Sequence, residues 1–190
     1  MKLSIPSTVV VTAGFALVTF VGCSRTTETA SGPGAADRNA ADRSTTVVST
    51  SDRDFASKAA QGGMAEVELG NLAQQRGSNA QIKDFGKKLV EDHTKLNTDL
   101  KDIAAKLNLS LPMDVSREQR KTIDKFSKLS GAEFDREFWK DSVGDHRADI
   151  DEFRKESDRG ENQDLRSFAS NSIPTLEDHL RLAENKGMNK

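Results

Sequence analysis

A chain of 190 residues, 31% charged and 35% hydrophobic, suits one ordinary domain with appendages. Its formal charge is −2 with the signs interspersed, and no basic stripe interleaved with aromatics exists, so nucleic acid is excluded as the main partner. Tyrosine is absent, proline scarce, and the later two-thirds is rich in Ala, Leu, Lys, Glu and Asp, a composition that favours helix over sheet.

The first segment reads as an address. Lys2 precedes an uncharged run from Val9 to Gly22, which is short and Thr-interrupted for a membrane span of about 20 residues but suits a secretory signal. The run ends at Phe20-Val21-Gly22-Cys23-Ser24, around the only cysteine. A lone cysteine there resembles a bacterial lipobox, with Phe20 where leucine is commonest; Cys23 is then the acylated first residue of the mature chain and the membrane anchor. Ordinary secretion with an incidental cysteine is the alternative. A disulfide within one chain is excluded. Ser24 after Cys23 points to an outer-membrane lipoprotein facing the periplasm; without acylation the expectation is a periplasmic or secreted protein. Residues 1–22 are thus read as signal peptide. Residues 23–51, polar and without an aromatic, are read as a flexible tether of roughly 30 Å reach.

From residue 52 to 187 the spacing predicts four long helices and a connector. Ser51-x-x-Asp54 approximates a capping box, and Ser78-x-x-Gln81, Ser116-x-x-Gln119 and Ser130-x-x-Glu133 are further start signals. Gly77 and Gly160 are placed as C-terminal caps, and Asn162 as a following N-cap. The expected helices run over about 52–76, 79–107, 117–129 (the connector), 131–159 and 163–186. Each long helix carries an apolar stripe, so the expected fold is an all-α, antiparallel four-helix bundle. Short turns at Gly77 and Gly160 are expected at one end, with 108–130 joining the two hairpins at the other.

The three histidines, His93, His146 and His179, each follow an aspartate and each occupy an apolar stripe. Counted from the nearest turn, they fall within roughly 5 Å of one level at about 1.5 Å per residue. Gly62 and Gly63 lie at that level on the first helix and are expected to shape a pocket. Glu66, one turn away, is the candidate fourth ligand. Pro174, inside the last helix, is expected to bend it below His179. Inward His and Glu from separate helices is how bundles hold metals, and imidazole suits iron, zinc or copper. A metal-free polar cluster serving packing stands beside that reading. Asp92, Asp145 and Asp178 are read as acceptors for another helix's histidine or as solvated groups. No phosphate loop, nucleophile elbow, cysteine cluster or haem-attachment motif is present.

The stretches "FASKAAQGGMAEVELGNL", "IKDFGKKLVEDHTKLNTDL", "LSGAEFDREFWKDSVGDHRADIDEFRKE" and "SIPTLEDHLRLA" resemble the bacterial family known as domain of unknown function 4142. That resemblance implies an exported protein, described for the family as an outer-membrane protein, with a ferritin-like four-helix bundle. By analogy it implies a metal site in the bundle core. The Glu-x-x-His pairs of di-iron carboxylate bundles are missing, which leaves iron oxidation or storage without its ligands. The expected function is a cell-envelope metal buffer or carrier rather than a catalyst. The alternative is a metal-free envelope or stress-related interaction protein, whose mark would be an exposed apolar patch around Trp139.

Overall fold

The computed structural model describes residues 48–187; the expected signal peptide, Cys23 and most of the expected tether lie outside the described residues. Five helices and no strand are found among them: α1 (Thr50–Arg76), α2 (Ala80–Lys106), α3 (Arg117–Phe126), α4 (Gly131–Arg159) and α5 (Gln163–Gly187). None is long and apolar enough to cross a membrane.

Start signals are decided by tertiary partners as much as by local spacing. The capping box of α1 is Ser49 with Asp52, two residues earlier than expected. Asp52 is selected because its buried carboxylate also accepts the backbone N–H groups of Glu161 (2.9 Å) and Asn162 (3.1 Å), tying the start of α1 to the α4–α5 turn. Likewise α2 is capped by Asn79, whose side chain accepts from Ile82, rather than by Ser78. Ser78 is recruited elsewhere: its N–H and hydroxyl both donate to Asp135 of α4, at 2.9 and 2.6 Å. Ser116 forms the capping box expected for α3, Ser130 stands at the start of α4 without a side-chain cap bond, and Asn162 caps α5.

These ties correct one expectation. The Gly77 turn lies beside the start of α4, and the Gly160 turn lies beside the start of α1, so the two turns are at opposite ends. Residues 107–130 therefore run the length of the molecule instead of closing one end. Leu107, Leu109 and Leu111 pack into the core at the Gly160 end, and Val115, Phe126 and Leu129 into the core at the Gly77 end. Along the way Arg120 holds Glu68 of α1 with two hydrogen bonds of 2.7 and 3.1 Å.

Packing follows from the stripes. α1 lies along α2 and α4 along α5, while α1 also meets α4 and α2 meets α5. The apolar core divides in two. At the Gly77 end Leu69, Ile82, Phe85, Phe134, Phe138 and Trp139 interlock; at the other, Phe55, Leu100, Ile150, Phe153, Leu165 and Phe168 do. Trp139 is buried against Phe85 (ring centroids 5.0 Å apart), so it forms no exposed patch, and Met113 is the one large hydrophobic residue exposed among the described residues.

The backbones of α1 and α2 approach closely at Gly70 and Gly86. A Cβ on either would come within 2.6 Å of the other's carbonyl oxygen, a backbone atom that cannot step aside. Gly86→Ala is therefore expected to destabilise the protein by about 2 kcal/mol, the overpacking cost exceeding the helix-propensity gain. The urea midpoint should fall; an unchanged midpoint would show that the helices separate freely there.

Candidate metal centre

The boundary between the two halves of the core is a polar layer. On α2 it is His93, between Leu89 and Leu100; on α4 His146, between Trp139 and Ile150; on α5 His179, between Leu176 and Ala183. All three histidines are at most 3% exposed. Their rings approach pairwise, with centroid separations of 5.9 Å (His93–His146), 5.3 Å (His93–His179) and 5.2 Å (His146–His179). One ligand nitrogen from each lies within 4.8 Å of the other two, a group able to hold a metal ion. Phe85 backs the pair, 6.5 Å from His146 and edge-on at 6.1 Å from His179.

The outer hydrogen bonds decide what the inner nitrogens present. His146 Nδ1 lies 2.9 Å from the Ser142 carbonyl oxygen, which only accepts, so Nδ1 carries the hydrogen. His179 Nε2 lies 2.8 Å from the Asp92 carboxylate, so it too is the N–H. Burial raises the Asp92 carboxyl, but bonds from His179 and Lys88 outweigh it and hold the group ionised, below the usual carboxylate range. In their neutral forms both rings therefore turn bare lone pairs inward. Those two nitrogens, His146 Nε2 and His179 Nδ1, stand 3.2 Å apart with no hydrogen to share. Nearby, His93 Nε2 is buried without any hydrogen-bond partner.

Unsatisfied lone pairs facing each other inside a protein are unfavourable, and a cation between them removes the problem. A proton is one such cation, but burial opposes it. Burial first, and the neighbouring imidazoles second, push His93 well below its ordinary value and His146 down to about 4. Burial also lowers His179, against the pull of Asp92. A metal ion is the other. Ligands at zinc–nitrogen distances of about 2.0–2.1 Å in tetrahedral geometry stand roughly 3.3 Å apart, close to the observed separation. The carboxylate behind His179 and the carbonyl behind His146 are the orienting groups that metal-bound imidazoles require.

Other residues singled out by sequence fall elsewhere. Glu66 is buried, but its carboxyl meets Asp145, with Asp149 and Asp141 close by; it is not among the converging donor atoms. Of the three aspartates preceding histidines, Asp92 serves a histidine of another helix, Asp178 pairs with Lys88 at 3.4 Å, and Asp145 meets Glu66. Gly62 and Gly63 line a small cavity together with His93. Pro174 lies on the exposed side of α5, which continues through it, and is not part of that lining. Asn97 and Asp149, which sequence reasoning passed over, also line the cavity. The signal for Asp149 was present: Asp141, Asp145 and Asp149 repeat at every fourth residue, a like-charge spacing that is unfavourable on a solvated helix and so marks a face with another purpose.

Comparison with curated proteins and with solved structures finds no match. A family profile does match, over residues 37–185, covering α1 to α4, nearly all of α5 and the crossover between the hairpins. The chain belongs to the family described as domain of unknown function (DUF4142).

Proposed function

We propose that this protein is a ferritin-like four-helix bundle that binds one transition-metal ion through His93, His146 and His179, and serves as a metal buffer or carrier in the cell envelope. The observation that carries the reading is the pair of inward lone pairs 3.2 Å apart, with both outer nitrogens committed to acceptors. The ferritin-like assignment is supported by two hairpins joined by one long crossover, the connectivity of that class. All-nitrogen ligation in a buried layer favours zinc, copper or ferrous iron over magnesium or calcium, which take oxygen. The ligands lack the bridging carboxylates of a di-iron oxidase, and Glu66, the nearest candidate, is engaged with Asp145. Export and anchoring through Cys23 would place such a buffer at the membrane surface.

Elemental analysis of protein purified without an affinity tag tests the metal. One equivalent of a transition metal per chain is expected, retained through gel filtration. Protein that is metal-free as isolated, and that takes up neither zinc nor cobalt(II) on dialysis, would return the histidines to a packing role.

A further inference from the structure

His146 and His179 are each fastened from outside the layer, His146 to the Ser142 carbonyl and His179 to the Asp92 carboxylate. Those bonds fix which nitrogen carries the hydrogen, and so which one is bare toward the layer. His93 is the third ring of the same group, and its Nε2 is buried without a partner. On the side of α1 this residue borders a cavity of about 20 Å³, space for one water and no more.

The side chains of that wall are apolar except for His93, Asn97 and Asp149. Two of these polar heads stand where α1 has no side chains. A Cβ on Gly63 would fall within the Asn97 side chain, with Oδ1 its nearest atom, and a Cβ on Gly62 would have Asp149 Oδ2 as its one neighbour, at 4.0 Å. Helix interiors disfavour glycine, and here the pair makes room for one polar group from α2 and one from α4. Asn97 follows His93 by one turn of α2, so the two share a face of that helix.

We propose that the cavity holds one buried water, which accepts the outer N–H of His93 and donates its two hydrogens to Asn97 Oδ1 and the Asp149 carboxyl group. Three hydrogen bonds are the usual complement of a buried water. The molecule touches His93 and neither of the other layer histidines, as the wall of the cavity requires. Asn97 and Asp149 are then positioning residues that act through it. Held at its outer nitrogen, His93 turns a bare nitrogen to His146 and His179, and each of the three rings has an orienting acceptor behind it. The bearing on metal rests on the three-histidine reading; the water itself does not.

Nitrogen-15 histidine spectra and water-to-protein cross-relaxation, both on metal-free protein, read the bridge directly. His93 is expected in one neutral tautomer, with a cross-peak from its outer N–H to a water of long residence. Two variants at position 149 then test the effect on cobalt(II) binding. Asp149→Asn keeps an oxygen at the cavity and should leave both the tautomer and the cobalt(II) affinity unchanged. Asp149→Leu offers the water no acceptor, so His93 should populate both tautomers and cobalt(II) affinity should fall about tenfold, the lower end for a lost orienting partner. Both variants remove the same charge, so a difference between them has another cause. A His93 N–H without a water cross-peak, or two variants that match in tautomer and affinity, would overturn the bridge and leave the metal site standing. A parent that shows the water but takes up no cobalt(II) would support the bridge and overturn the metal reading.

Discussion

Replacing His146 with alanine is expected to abolish metal retention, and replacing Asp92 with asparagine to weaken it by about 10- to 100-fold. The first variant removes a ligand outright. The second touches no ligand and is the more informative. Asp92 accepts from His179 Nε2 at 2.8 Å and is itself held by Lys88 at 3.0 Å, so the carboxylate sets which nitrogen of His179 carries the hydrogen. An asparagine amide is able to donate to that same nitrogen, which turns the ring over to its other tautomer and points an N–H at His146. Loss of the charge also lowers the basicity of the inner nitrogen. Cobalt(II) titrations of the two variants, with far-UV circular dichroism to confirm the helices, measure both effects. Full affinity in Asp92→Asn would mean that His179 is oriented by packing alone.

The histidine layer was legible in the sequence for a reason that hid an error. Heights counted from Gly77 and Gly160 on the assumption of a shared end agree because His93 and His146 lie at the middle of their helices, where counting from either end gives a similar level, and His179 lies about one turn beyond the middle of its own. Inverting the second hairpin leaves the layer intact. What spacing could not reveal was the direction of the 107–130 segment, since a hydrophobic leucine series reads the same whether it closes one end or climbs the whole molecule. The capping serines erred for a related cause. Ser51 and Ser78 are sound local signals, but Asp52 and Asp135 each make long-range bonds that a helical period does not encode. Glu66 was assigned to the histidines from its stripe, whereas α4 faces it with three carboxyls. Helix periodicity gives a residue's face and level, and the neighbour's charge decides the rest.

That acidic face leads to a result that depends on pH. Burial first, then Asp145, Asp149 and Asp141, hold the Glu66 carboxyl well above its usual range, and burial raises Asp149 to about 7 and Asp141 to about 6. A carboxyl raised in the folded state favours folding while protonated. Its contribution is complete below the unfolded value, near 4.5, and is lost as pH rises through the folded value. The histidines act in the opposite sense: lowered in the folded state, they contribute above about 6.5 and lose that contribution as pH falls toward 4. The two slopes oppose each other over the same window, so the intact protein should show a shallow pH profile. Glu66→Gln separates them. The amide keeps the shape of the protonated carboxyl and still donates to Asp145, so the variant should match the parent near pH 4.5 and exceed it by about 2 kcal/mol at pH 8, where the parent must bury a charge among like charges. Urea unfolding of metal-free protein at the two pH values measures the difference. A variant less stable than the parent at pH 8 would mean that the fold stabilises the ionised Glu66 and that burial beside the α4 carboxyls does not oppose its charge.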